Sequence, residues 1–348
     1  MSLPSTHSAL VVNADASGWA VTQQALPAFD DLLVKVHAAA LNPTDWQHVL
    51  HPEWKSLAPG TSTGSDFAGV VVAARDGAQY QVGERVAGFT RGGVLQKDNG
   101  AFAEYIAAQS PIVWRIPDSI TFAQAAAVGG IPGDTAAQAL YTRLDLPRPW
   151  APAQRTAAKA GDAILIWSGA ASVSYYAIQL AKLAGLKVFT TASPQHHAHL
   201  TALGADAVFD YRDPEVAQKI QAASGGSIRI ALDGVSTHDS LRLTAAALSA
   251  GGTLVSLLGP PEGAFPAHAA VVPTFIYSVL TAKNAQDRAD IAEWYAAVHR
   301  VLPELLESGK LRPHKIELRH GLEGISEGLL QLMDGKVSGK KIVHTIGE

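Results

Sequence analysis

The sequence predicts an α/β protein, in which a doubly wound parallel-sheet domain is inserted into a β-rich, partly antiparallel domain. Short apolar runs broken by Gly and Pro fill the first third of the chain. Apolar runs of about five residues alternate with helix-spaced stretches of about ten through the middle, the pattern of βαβ units. Short strands return at the C-terminal end. The expected boundaries are 1–126 plus 273–348 for the outer domain and 127–272 for the inserted one.

In chain order, Ser8–Asn13, Leu32–Ala40 and Gly64–Ala74 read as strands, and Gly83–Val86 as a turn entering another. Arg148–Lys159, preceded by Pro147, is the most linker-like piece. Ala163–Trp167 is an apolar run, and Tyr175–Ala184 then carries apolar residues at helical spacing. Lys187–Thr191, Ala207–Phe209, Ile228–Leu232 and Thr253–Leu258 are further strand-like runs, with helices expected over Gln195–Leu203 and Leu241–Leu248. Beyond Pro273 the chain reads as helical around Ala285–Glu307, then as strands at His314–Leu318 and Lys341–Thr345.

Composition narrows the function. Of 348 residues 47% are hydrophobic and 17% charged, so a packed core is expected rather than disorder. Lys and Arg number 27 against 31 Asp and Glu, a net charge of −4, which leaves no basic surplus for a nucleic-acid footprint. Cysteine is absent, which removes disulfides, thiolate nucleophiles and every sulfur-built zinc site. No signal peptide or membrane span is expected, the longest apolar stretches such as Ala68–Ala74 being too short. The C-terminal Ile346-Gly347-Glu348 matches no targeting address. A cytoplasmic protein without membrane or nucleic-acid partners is the expectation.

The most informative stretch runs from Ala163–Trp167 through Ser168-Gly169-Ala170-Ala171-Ser172-Val173-Ser174 into a helix. A turn of small residues between strand and helix lets backbone N–H groups approach a pyrophosphate, whose charge the helix dipole favours. Only Gly169 of the usual three glycines is present; Ala171 and Ser174 stand in the other two places. An ordinary tight strand–helix turn is the alternative. An NAD site calls for an acidic residue about 20 positions on, to hold the ribose 2′-hydroxyl. Ser193-Pro194-Gln195-His196 stands there, without a carboxylate, and Tyr211-Arg212 follows the next strand. Those groups suit a 2′-phosphate, so the cofactor expected is NADP (NADPH). Ser193 as a helix N-cap, with the histidines on a solvated face, is compatible with that.

With these residues in view, the chain resembles zinc-independent members of the medium-chain dehydrogenase/reductase superfamily. It is most similar to the fungal enoyl reductases that act in trans on polyketide synthases, and more distantly to quinone oxidoreductases. The resemblance runs nearly end to end through Ala40–Asp45, Gly64–Val71, Gly83–Val86, Asn99–Tyr105, Ile116–Asp118 and Gly130–Leu140. It continues through Ala177–Lys182, Leu203–Asp206, Asp210-Tyr211 and Gly335–Ile342. Each piece is weak alone, and their shared order and spacing make the likeness specific. It implies a GroES-like catalytic domain with an inserted Rossmann domain, and an oxidoreductase of secondary metabolism. In zinc-using relatives a cysteine near Asn42 and a His-Glu pair near Ser65-Asp66 hold the metal; this chain has neither. His48-Val49-Leu50-His51 has metal-like spacing but no third ligand, and reads better as a polar loop.

Hydride transfer without a metal is therefore expected, from NADPH to the β-carbon of an activated C=C bond. The resemblance places Asn42-Pro43-Thr44-Asp45 beside the nicotinamide, with the Asn42 amide and Thr44 hydroxyl as contacts; Asp45 is also a candidate helix cap. Gly130, Pro132, Gly133, Asp134 and Thr135 carry over as the rim of the cleft, Thr135 facing substrate or capping Ala136–Leu140. Leu257-Leu258, ending a strand, would pass the carboxamide, and Val337-Ser338 would close over it. Phe275 and Tyr277 match a stretch lining the acyl channel, or belong to a packed edge strand or dimer contact. No dedicated proton donor stands out, since Lys97, Tyr105, Tyr277 and water can all donate. Monomer and homodimer both remain open. A stand-alone quinone or enone reductase and a non-catalytic NADP-binding protein are the competing functions.

Overall fold

The computed structural model describes residues 3–150, 158–259, 265–281, 283–290 and 296–347. Most of the linker-like Arg148–Lys159 segment (151–157) and part of the expected helix around Ala285–Glu307 (291–295) lie outside the described residues. The chain divides into two compact units, Met1–Ile131 with Ile291–Glu348, and Pro132–Asp290.

The chain opens with β1 (Thr6–Val12), β2 (Trp19–Ala25), β3 (Leu32–Ala40), α1 (Pro43–Leu50), β4 (Asp66–Ala74) and β5 (Arg85–Phe89). It continues through β6 (Tyr105–Ala108), β7 (Val113–Arg115) and α2 (Phe122–Val128). Then follow α3 (Ile131–Ala137), a π-helical turn over Gln138–Arg143, β8 (Ala163–Trp167), α4 (Ser172–Leu183), β9 (Lys187–Thr191), α5 (His197–Leu203) and β10 (Ala207–Phe209). Next are α6 (Val216–Ser224), β11 (Ile230–Asp233), α7 (His238–Ala246), β12 (Gly252–Ser256), β13 (Ala269–Pro273) and α8 (Ala285–Asp290). The tail adds α9 (Ala296–Glu307), β14 (Ile316–His320), α10 (Ile325–Met333) and β15 (Lys341–Thr345).

The first unit is built on β3, which the rest of its sheet surrounds. The strand order is β14-β15-β3-β4-β5-β7, with β6 also pairing on β3. All pairs but β14–β15 are antiparallel. β3 is buried along nearly its whole length, which is why Leu32–Ala40 reads as a continuous apolar run rather than an alternating one. Its register with β4 slips at Leu33/Val34 and again between Val36 and Ala38. There Gly69 brings the two backbones so close that a Cβ would lie 2.0 Å from the Lys35 carbonyl oxygen. Leu32, Val34, Phe67, Phe102, Ile106, Ile325 and Leu329 form the core beneath.

The second unit is a parallel sheet ordered β10-β9-β8-β11-β12-β13, so the order reverses between β8 and β11. Ligands of such sheets bind outside the C-terminal ends of the strands at that reversal. Leu165, Trp167, Phe189, Ile220, Leu241 and Leu254 pack its core. The alternation of short apolar runs with helices predicts this architecture directly. Phe275 is followed by a single 3₁₀ turn, Ile276–Leu280, and the sheet's edge is β13, so that stretch is not an edge strand.

Candidate active site

The turn Ser168–Ala171 leaves β8 at the reversal point and is pinned to the neighbouring strand. The Ser168 N–H donates to Thr191 Oγ1 at 2.9 Å and the Gly169 N–H to the Thr191 carbonyl at 2.8 Å. Ser168 holds a left-handed φ of +62°, so the backbone bend that glycine usually supplies is made by a serine. Gly169 is required for room instead: a Cβ there would stand 2.4 Å from Thr190 Oγ1. Ala171, the N-cap of α4, gives the first-turn N–H groups no side-chain acceptor. Ser174 is fully buried; its hydroxyl donates to the Trp167 carbonyl at 2.9 Å, and α4 packs against Gly234 at this residue. Uncapped N–H groups on a helix at the reversal of a parallel sheet, reached through small residues only, fit the pyrophosphate of a dinucleotide.

The segments after β9 and β10 lie side by side, the Ala192 N–H donating to the Phe209 carbonyl at 2.9 Å. Ser193 stands at the N-cap of a 3₁₀ turn, Pro194–His196, but its hydroxyl makes no capping bond. The helix expected over Gln195–Leu203 begins only at His197, after this 3₁₀ turn. Gln195 Nε2 lies 3.3 Å from His196 Nε2. Burial lowers the His196 imidazole, with the neighbouring His199 and His197 acting in the same direction. Tyr211 is exposed, and the Arg212 guanidinium grips Asp210 through two 3.0 Å hydrogen bonds.

Unit one contributes a different kind of site. Asn42 caps α1 in a reciprocal box: the Asp45 carboxylate accepts the Asn42 N–H at 2.8 Å, so Asp45 is a helix cap in this structure. His48 and His51 belong to this helix and its C-cap, not to a polar loop. Asp45 also accepts from the Ser65 hydroxyl at 2.7 Å. The Asn42 amide donates to Asp66 at 2.8 Å and accepts from the Lys341 ammonium, which lies 3.6 Å from the same carboxylate. Asp66 further accepts the backbone N–H groups of Gly130 (3.2 Å) and Ile131 (2.8 Å). All of these side chains are buried. Burial pushes the Asp45 carboxyl up to about 7 against the hydrogen bonds from Ser65 and Asn42. Burial likewise raises Asp66 and lowers Lys341, each opposed by the other's charge. Thr44 is the second residue of α1.

In the second unit, Thr135 lies inside α3 and is buried, so it does not cap the helix that follows; Pro132 and Asp134 are buried beside it. Gln138 accepts from the Thr274 hydroxyl at 2.6 Å and donates to Ser278 at 3.4 Å, tying the π-helical turn to the segment that bears Phe275 and Tyr277. Phe275 is half exposed and packs edge-on against buried Tyr277, ring centroids 5.5 Å apart. β12 ends at Ser256, one residue short of Leu257, whose N–H is held by Ser236 at 2.8 Å. Leu258 is exposed, Val337 packs on the first unit's core, and Ser338 is exposed. Sequence reasoning missed Gln138 and Lys341, although both lie in stretches that carry the resemblance, Gly130–Leu140 and Gly335–Ile342.

Residues 29–118 match the alcohol dehydrogenase GroES-like domain, and residues 172–291 the model described as zinc-binding dehydrogenase. The trans-enoyl reductase ACTTS2 of Alternaria alternata is 38% identical, the alignment covering 98% of this chain and 99% of that protein. The chain belongs to the trans-enoyl reductase family. A second family member, mycC of Thermothelomyces thermophilus, is 34% identical over 91% of this chain and 90% of its own. Among solved structures, an alcohol dehydrogenase superfamily protein from Novosphingobium aromaticivorans superposes with a TM-score of 0.80 at 24% identity, over 98% of this chain and all of the other. The CurK enoyl reductase gives 0.75 at 20% identity, over 98% and 99% of the two chains. Like other trans-enoyl reductases by its family, this protein is a medium-chain oxidoreductase that combines a GroES-like domain with a Rossmann-like one. The zinc in the second domain model's description has no donor set here: cysteine is absent from the sequence, and a lysine ammonium already sits against Asn42 and Asp66. Among the described residues no group of three or more His, Cys, Asp or Glu could hold a metal ion. No helix among them is long and apolar enough to cross a membrane.

Proposed function

We propose that this protein is a cytoplasmic NADPH-dependent enoyl reductase acting on an α,β-unsaturated thioester that a partner polyketide synthase carries. The observation that carries this is the end-to-end similarity to proteins named trans-enoyl reductases. Bound NADPH would supply the hydride that adds to the β-carbon. The first-turn N–H groups of α4, from Ser172, Val173 and Ser174, bind the pyrophosphate, and the small residues Gly169, Ala170 and Ala171 give it room to approach. Ser193, Pro194, Gln195 and His196 receive the adenosine ribose, and the absence of a carboxylate there supports NADPH over NADH. Arg212 reaches a 2′-phosphate by giving up Asp210, an exchange its exposure permits.

The nicotinamide end is served by the Asn42–Asp45 turn, by Leu257 and Leu258, and by Val337 and Ser338. Thr44 supplies a hydroxyl donor where oxygen charge develops on the thioester carbonyl as hydride adds. Asn42 acts by holding that turn, since its own amide is engaged by Asp66 and Lys341. Gly130, Pro132, Gly133, Asp134 and Thr135, with Phe275 and Tyr277, line the acyl side.

The test is a titration of the purified protein with NADPH, followed by loss of nicotinamide absorbance on adding a short enoyl thioester. Oxidation that requires the thioester is expected. Ser193→Asp is expected to reverse the cofactor preference, since its carboxylate repels a 2′-phosphate and accepts a 2′-hydroxyl. Bound NADPH that neither a thioester nor the partner synthase oxidises would overturn the reductase assignment. Unchanged cofactor preference in Ser193→Asp would overturn the ribose assignment.

A further inference from the structure

Lys341 opens β15, a position next to the central strand of the first unit, and its side chain is 3% exposed. Three ionisable groups, Lys341, Asp66 and Asp45, are thus withdrawn from water together. Burying charges is unfavourable enough that well-packed apolar residues of similar volume commonly do as well or better. Packing alone does not explain the cluster, and its hydrogen bonds suggest what does.

Asn42 has one acceptor and one donor end. The acceptor faces the Lys341 ammonium and the donor faces Asp66 Oδ2 at 2.8 Å. Rotating the amide by half a turn would set its NH₂ against the ammonium and its oxygen against the carboxylate, so a single orientation is allowed. Asp66 is itself anchored by two backbone N–H groups, from Gly130 and Ile131. Asn42 is in turn the N-cap of α1, with its own N–H held by Asp45. The chain of contacts runs from Lys341 and Asp66 through Asn42 to the start of α1, where Thr44 lies.

We propose that Lys341 is a positioning residue for the nicotinamide end of the cofactor. Its ammonium, paired with Asp66, locks the Asn42 side chain and through it the placement of the Asn42–Asp45 turn. This rests on the assignment of that turn to the nicotinamide made above. The ammonium is a fixed internal cation in the part of the unit where zinc-using relatives hold their metal, and it acts on the turn rather than on substrate.

Lys341→Met alone leaves Asp66 buried without its cation and endangers folding. The informative variant is therefore Lys341→Met with Asp66→Asn, which removes both charges and nearly preserves volume. Binding is measured by fluorescence for NADPH and for adenosine 2′,5′-bisphosphate, which has the 2′-phosphate and no nicotinamide. The double variant is expected to bind the bisphosphate within about twofold of wild type and NADPH about tenfold more weakly. Emission of the bound NADPH moves toward that of the free cofactor, and turnover of an enoyl thioester falls on the order of a hundredfold through misplacement. Equal weakening of both ligands, or no weakening of either, overturns the proposal, because a purely structural role does not separate the two halves of the cofactor. Wild-type protein that binds NADPH but reduces no thioester, free or carried by the partner synthase, would end the reductase assignment while leaving this binding comparison fully readable. Wild-type protein that binds no NADPH would end both.

Discussion

His48 shows what burial does to a single side chain. It lies in α1, its Nε2 is 3.4 Å from the Arg91 guanidinium, and burial followed by that positive neighbour lowers its pKa to about 4. The folded protein thus keeps His48 neutral, and in the tautomer protonated at Nδ1 its Nε2 accepts from Arg91. An unfolded chain titrates the same imidazole near its ordinary value of 6.5. Between these two values the unfolded state binds a proton that the folded state refuses. The stability His48 contributes is therefore complete above about pH 6.5 and is lost as the pH falls toward 4. By pH 5 the loss amounts to about 2 kcal/mol. Urea denaturation at pH 7.5 and pH 5 checks this: His48→Gln should lose about 2 kcal/mol less than wild type between the two. Equal losses would mean that the imidazole is not held neutral. Lys341 is the residue that sequence made hardest to see. It opens the strand expected over Lys341–Thr345 directly after Lys340, nothing local marks it as buried, and its partner Asn42 is 299 positions away, beyond the reach of any local pattern.

At the scale of elements, legibility follows burial. Leu32–Ala40, Ala163–Trp167, Lys187–Thr191 and Lys341–Thr345 are strands over the residues that their apolar runs mark, because these strands are covered on both faces or nearly so. β2 escaped notice because Trp19–Ala25 is mostly exposed and pairs only with β1, so no hydrophobic pattern announces it. α6 escaped because only Val216, Ala217 and Ile220 face the core. The phosphate turn was legible by its small residues, but the reason for each was not. Ser168 takes the positive φ, Gly169 makes room for Thr190, and Ser174 ties α4 to β8. This division of labour makes a specific prediction. Thr190 Oγ1 donates to the Ile166 carbonyl at 2.6 Å and cannot swing aside without breaking that bond. Gly169→Ala should therefore lower stability by about 1–3 kcal/mol through overpacking. It should also weaken NADPH binding, since the turn must lift from β9. Denaturation together with NADPH titration measures both, and a variant unchanged in each would show that the turn has slack.

For the whole molecule, the interleaving of the chain has consequences of its own. The first unit is assembled from both ends of the sequence: β15, from the last residues, pairs with β3, from the first forty. The second unit is continuous, from Pro132 to Asp290. The fold class was readable because each unit keeps its own pattern, whereas the pairing of the two ends had to be learned from the structure. The residues assigned to NADPH are spread in the same way, from Asn42 to Ser338. A ligand that binds only the folded state stabilises it by about 2.7 kcal/mol at a hundredfold excess over Kd. Where in the chain that gain appears separates the assignments, and hydrogen exchange of the full protein with and without saturating NADPH reads it. Slowed exchange is expected in Gly169–Ser174 and around Ser193–His197, and also at Asn42–Asp45 and Val337-Ser338. Protection confined to the continuous unit would support the pyrophosphate and ribose assignments and remove the nicotinamide one. Protection in both sets of segments, lost from Asn42–Asp45 in the Lys341→Met with Asp66→Asn variant but kept in Gly169–Ser174, would tie the buried lysine to the nicotinamide end alone.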